Sequence, residues 1–173
     1  PEFVRKLVQV RHHESVIEHA MVTVRFIVDR GVSHELVRHR LAAFSQESTR
    51  YCNYSKDQFW REITVIRPVF WQASDPKTSA AFMQWKFACE QSEANYFALL
   101  DNGATPQEAR SVLPNSLKTE VVMSANIREW RHVLRLRCSK AAHPQMRQVM
   151  MPLLAQFAQD LGPLFEDVAC SKE

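Results

Sequence analysis

The sequence predicts an α+β fold: one domain over residues 1–173, with mixed helices and a small sheet. Three observations carry this. The chain is 173 residues long and 46% apolar, enough to bury a core. Two runs rich in β-branched residues, Met21 to Val28 and Leu117 to Ala125, read as strands. Between them, a stretch from Asp75-Pro76 to Asn102-Gly103 carries the start and stop signals of a long helix. No repeat, low-complexity tract or linker divides the chain.

Taken in order, Phe3 to Val10 reads as a short helical lead. Ser15-x-x-Glu18 fits a capping box, and His13, Glu14, Glu18 and His19 could alternatively hold a metal. Asp29 or Ser33 then caps a helix expected to carry His34, Glu35, Arg38, His39 and Arg40. Val32 and Leu36 fall on one side of that wheel and Val37 and Leu41 on the other, so the helix reads as sandwiched. Buried cations would need partners, and an anionic ligand is one. Glu62 to Ile66 resembles a strand halted by Pro68.

The long helix carries a stripe of Phe82, Trp85, Cys89, Tyr96, Phe97 and Leu100 that suits a core or a subunit contact. Thr105-Pro106-Gln107-Glu108 is a second capping box, opening a short helix with Arg110 that ends before Pro114. Asn126 caps a helix from Ile127 to Arg137. On its wheel Arg128, Arg131 and Arg135 share a polar face with His132. Arg137 instead falls in the stripe of Trp130, Val133 and Leu134. Either it lies past the helix end, or it meets a buried partner or ligand. Ser139 to His143 is a turn, and a last helix runs from Pro144 towards Leu161, interrupted by Pro152.

Composition narrows the function. A net charge of +3 permits an anionic ligand without demanding nucleic acid. Four cysteines with no C-x-x-C pair argue against a zinc site and read as a reduced, cytoplasmic protein. Cys89 sits on the apolar stripe, Cys170 reads as part of a tail, and only Cys52 and Cys138 adjoin the blocks described next. No apolar run approaches the roughly 20 residues of a membrane span, and no signal peptide is visible. Three scattered glycines exclude a G-x-G-x-x-G turn and a P-loop, so a nucleotide cofactor would be held by side chains and helix ends. The opening Pro1-Glu2-Phe3, without a methionine, fits a cloning scar or a natural start further upstream.

The string Arg38-His39-Arg40, seven residues, then Ser48-Thr49-Arg50-Tyr51 resembles the signature of the flavin-dependent thymidylate synthases. Arginine forks suit phosphates and flat heteroaromatic rings, with Ser, Thr and Gln as neutral donors beside them. A second block, Asn126-x-Arg128-Glu129 through Arg137 to His143, resembles the family's flavin and nucleotide segment. The resemblance implies an α+β subunit with a small antiparallel sheet, assembling as a homotetramer whose active sites lie between chains. It implies conversion of dUMP to dTMP with FAD, NADPH and methylenetetrahydrofolate. By position, Ser15, Arg38, His39, Arg40, Gln46, Asn126, Arg128, His132 and His143 would contact the flavin. Glu35, Arg38, Gln46, Ser48, Arg50, Arg110 and Arg137 would bind dUMP, with Arg137 activating the uracil ring. Partners beyond dUMP and further copies of the chain are not implied: neither nucleic acid, nor membrane, nor a metal. The resemblance also implies a strand-and-helix segment at the front, usual in the family, which is expected to be missing ahead of Phe3. A nucleic-acid-binding module using the arginines, and a metal-dependent hydrolase using the His and Glu residues, are the alternatives.

Overall fold

The computed structural model describes residues 2–56 and 59–168. Cys170 lies outside the described residues. Among the described residues six α-helices and three strands follow in the order α1 (Glu2–Arg5), β1 (Met21–Asp29), α2 (Arg30–Leu36), β2 (Ala42–Gln46), α3 (Ser79–Asp101), α4 (Pro106–Ala109), β3 (Lys118–Asn126), α5 (Ile127–Arg137) and α6 (Pro144–Leu161). The strands form a small antiparallel sheet in the order β1-β3-β2. An α+β class follows directly. The chain divides into two compact units.

The first unit comprises Pro1–Phe26, Leu36–Phe44 and Val122–Glu173. Its core is aromatic. Trp130 is fully buried and packs edge-on to Phe157 at 5.5 Å, which meets Phe165 at 5.0 Å. Its indole N–H donates to Val22 O at 3.0 Å, so the one polar atom of this buried ring is satisfied. Asn126 caps α5 as expected, its Oδ1 accepting from Glu129 N at 2.8 Å. The helical lead is present as α1 and a π-turn over Lys6–Val10. The capping box at Ser15 is not: Ser15 lies inside a 3-10 turn over Glu14–Ile17, and Glu18 turns to a cation instead of back to the backbone. α6 continues through Pro152 although an interior proline removes one hydrogen bond and crowds the carbonyl four residues back; the buried Met150, Leu154 and Phe157 on either side of it offset that cost.

The second unit comprises Ile27–Glu35 and Ser45–Val121. Tyr54, Ile63, Tyr96, Phe97, Ala109 and Leu117 form its core, which confirms the buried stripe of α3 at Cys89, Tyr96 and Phe97. α3 starts at Ser79, later than Asp75-Pro76 suggested, because Asp75 instead closes a turn onto Lys77 N and Thr78 Oγ1. It stops at Asn102-Gly103 as predicted, with Gly103 at φ 89°, where a side chain would be strained. Thr105 and Glu108 form the second capping box, at 2.7 Å. Glu62 to Ile66 is not a strand but a single bridge, Val65 to Leu117.

α2 overturns one reading that bears on function. Asp29 Oδ1 caps it by accepting from Val32 N at 2.7 Å, but the helix ends at Leu36. Arg38, His39 and Arg40 lie in the turn beyond, so a wheel drawn through them has no meaning. Leu41 is exposed accordingly, and the helix is not sandwiched. A turn following a helix C-terminus lets neighbouring side chains diverge: His39 is buried while Arg38 and Arg40 face outward.

Candidate functional site

In the first unit the site is built on α5, whose four arginines meet different fates. Arg128 is half-exposed and paired with Glu14 at 3.5 Å and with Glu18. Arg131 is 1% exposed, forming a fork on Asp167 at 2.7 and 2.6 Å, with Glu14 at 3.4 Å and Leu164 O completing its donors. This corrects its placement on a polar face. The segment around Asp167 covers that side of α5, which no wheel of the helix alone can show. Arg135 is half-exposed and only 3.3 Å from Asp167. Burial pushes the Asp167 carboxyl up, but the Arg131 hydrogen bonds and charge, with Arg135, outweigh it and hold the carboxyl below its usual range.

Arg137, the last residue of α5, does meet a buried partner. Its Nε donates to Nε2 of His39 at 3.0 Å, and His39 is 5% exposed. The other ring nitrogen, Nδ1, faces Glu129 Oε1 at 3.6 Å, and the His132 ring lies edge-on at 6.1 Å between centroids. His39, Glu129 and His132 bring ligand-capable atoms within 4.8 Å of one another. The Arg137 cation occupies one nitrogen of that group, which disfavours a second cation there. Glu14 and Glu18, considered above with His13 and His19 for a metal, are ion-paired to arginines.

The His39 ring is held neutral. Burial first, then the charges of Arg137 and His132, bring its pKa from 6.5 to about 4. The unfolded chain therefore takes up this proton before the folded one does. The contribution to stability is complete above about pH 6.5 and is lost as pH falls to about 4, by at most about 3 kcal/mol. Thermal melts across that window should show the decline, and His39→Gln should flatten it; an unchanged slope in the variant would contradict the assignment.

Beside these residues a cavity of about 730 Å³ is lined by Asn126, Arg128, Glu129 and His132 from the end of β3 and α5, with Glu14 and Glu18 opposite. Three predicted flavin contacts thus share one cavity. Ser15, Arg38, Arg40 and His143 are exposed and do not line it.

The second unit holds a cavity of about 350 Å³ lined by Arg30, His34, Thr49, Arg110, Ser111 and Asn115 among others, with no carboxylate in its wall. Arg110 Nη1 donates to Thr49 Oγ1 at 3.4 Å. Arg30 escaped the sequence reading, and His34 was read only as one residue of this helix, although their i, i+4 spacing put them side by side. Gln46 Nε2 donates to Ser33 Oγ at 2.9 Å and Thr119 Oγ1 at 3.3 Å. Ser48 Oγ accepts from Arg50 N at 3.3 Å, Arg50 lies 5.5 Å over the Tyr51 ring, and Glu35 is half-buried on α2. Gln46, Ser48, Arg50 and Glu35 do not line the cavity.

Among the described residues no cysteine presents an activated thiolate. Cys89 and Cys138 are buried. Burial pushes the Cys52 thiol up, and Glu47 beside it pushes further. Replacing any of the three by alanine should leave turnover within a few-fold of the parent; loss of turnover in Cys52→Ala with the fold intact would overturn this.

A cavity walled by Arg30, His34 and Arg110 with no carboxylate suits an anionic ligand such as a phosphate ester. The family model described as thymidylate synthase complementing protein matches residues 1–161, and the chain belongs to that family. A flavin-dependent thymidylate synthase of Geobacter sulfurreducens is 35% identical over 156 residues, covering 90% of this chain and 64% of that relative. One from Thermococcus kodakarensis is 34% identical over 89% of this chain and 62% of the relative. One from Corynebacterium efficiens is 31% identical over 95% and 68%. The chain thus spans a little under two thirds of the first two relatives.

Proposed function

We propose that the chain makes thymidylate from dUMP by reductive methylation, with FAD as cofactor and NADPH and methylenetetrahydrofolate as co-substrates. Family membership and the names of its relatives support this. The observation that carries it is the convergence of Asn126, Arg128 and His132 on one cavity. An amide, a guanidinium and an imidazole fit the carbonyl, diphosphate and ring edges of a flavin nucleotide. Arg128 would exchange Glu18 and Glu14 for the anionic part of FAD. Ser15, Arg38, His39, Arg40, Gln46 and His143 complete the flavin contacts in this reading. When bound, FAD supplies the reducing power for the methylation.

For dUMP, the basic cavity of Arg30, His34 and Arg110 suits the phosphate. Glu35, Arg38, Gln46, Ser48 and Arg50 hold the remainder of the nucleotide, and Arg137 meets the uracil ring. A cation beside the ring favours its N3-deprotonated form and raises electron density at C5, where the new bond forms. The assembly is a homotetramer with sites completed by neighbouring chains.

The test is a visible spectrum of the purified protein, followed by FAD titration and sedimentation. Flavin absorbance, or saturable uptake of added FAD by a tetramer, is the expected result. A colourless monomer that takes up no FAD refutes the reading; bound metal would favour a hydrolase, and steeply salt-dependent DNA binding a nucleic-acid module.

A further inference from the structure

Arg131 and Arg137 lie on one helix, α5. Arg131 is neutralised by a carboxylate fork on Asp167. Arg137 is instead gripped through Nε by an imidazole, 3.0 Å away and buried. We propose that His39 is a positioning residue for Arg137, and that Glu129 fixes the ring in the tautomer this requires. The proposal rests on the reading of Arg137 as the group that meets the uracil ring.

The chemistry admits one arrangement. A guanidinium Nε–H is always a donor, so Nε2 of His39 must present its lone pair. The neutral ring then carries its proton on Nδ1, the nitrogen that faces Glu129 Oε1 at 3.6 Å. That separation is too long for a full hydrogen bond, yet near enough for a buried carboxylate to favour a proton on the facing nitrogen. The charged or titratable groups around the ring are Arg137, His132 and Glu129. A protonated ring would set two donors head to head, and the ring's low pKa, about 4, keeps it neutral at pH 7.

Such a partner does what a carboxylate cannot. It fixes the plane of a long, flexible side chain and itself brings no opposing charge. An arginine meant to meet a ligand gains from that contact, because orientation is set before binding.

A double-mutant cycle decides the matter, read as methyl transfer to dUMP with FAD affinity measured alongside. His39→Ala should slow transfer by about 10- to 100-fold, the scale of a misplaced catalytic group. His39→Gln, which keeps an acceptor, should recover part of the loss. In an Arg137→Ala background, His39→Ala should add less than about twofold, since the two act as one unit. Multiplying effects at saturating FAD, where a weakened flavin contact no longer limits the rate, would mean that His39 acts on transfer other than through Arg137, and the proposal would fall. A second readout needs no turnover: nitrogen NMR of the histidine rings should show His39 protonated on Nδ1 at pH 7. Arg137→Ala should raise its titration midpoint, and Glu129→Gln should weaken the tautomer preference. A proton on Nε2 overturns the pairing whatever the kinetics. The expected tautomer together with a fully active Arg137→Ala refutes the role given to Arg137, and with it the purpose of the positioning, while leaving the contact itself standing.

Discussion

Arg137→Ala should slow thymidylate formation by about 10- to 10⁴-fold, while Arg135→Ala, two residues away, should behave nearly like the parent. The range follows from hydrogen bonds to a charged group, roughly 1.5–3 kcal/mol each, with one or two lost and about 1.36 kcal/mol per tenfold in rate. Reduction of FAD by NADPH should survive in Arg137→Ala, because that half-reaction does not use the uracil ring. Arg137→Lys should recover only part of the loss, since an ammonium has no planar fork to match. Arg135 is half-exposed and 3.3 Å from Asp167, so its truncation should cost no more than about 0.5 kcal/mol of stability. Methyl transfer and stopped-flow flavin reduction measured on both variants check this. Equal effects at the two positions would remove any special role for Arg137.

The largest stability effect belongs to Arg131. Its guanidinium is 1% exposed, and Arg131→Ala leaves Asp167 without its fork and Leu164 O without a donor. Breaking a buried pair from one side typically costs about 3–5 kcal/mol. A fall in Tm of roughly 10 °C is the expected reading. Asp167→Asn should approach the same loss, because it strands a buried cation that Glu14, at 3.4 Å, only partly compensates. Arg131→Met is the informative control: if it melts near the parent, shape and not charge holds this side of α5. A melt of Arg131→Ala within a degree of the parent would show that the fork contributes nothing net.

What could be read from the sequence divides along a physical line. Asn126, Gly103 and the Thr105–Glu108 box were legible because caps and stops act through residues three or four apart, within the reach of local pattern. The strands Met21–Asp29 and Lys118–Asn126 were legible for the same reason, through β-branched runs. Arg131 was not. Its partners Glu14 and Asp167 lie 117 and 36 residues away, and no helical wheel carries that information. The anomaly at Arg137 was visible as a cation on an apolar stripe, but the identity of its partner, 98 residues distant, was not. The turn after Leu36 shows a subtler failure. Arg38-His39-Arg40 was assigned to a helix because its neighbours fit the period, and the helix stopped first. Arg30 carries no local signal that sets it apart, and nothing in the local pattern shows that His34, legible on that helix, shares a cavity with Arg110.

Asn126 is at once the last residue of a strand and the cap of the next helix, with nothing between β3 and α5. There is therefore no hinge at that junction, and the angular phase of the whole helix is set by the pleat of the strand. With 3.6 residues per turn, each added residue rotates everything downstream by about 100°. One residue inserted between Asn126 and Ile127 would swing Trp130 out of its aromatic stack and carry the guanidinium of Arg137 to another azimuth, some 16 Å along the axis from the point of change. Spacing across that junction is thus as constrained as the identity of the residues it separates, and an insertion tolerated in the turn before Pro144 should be ruinous there.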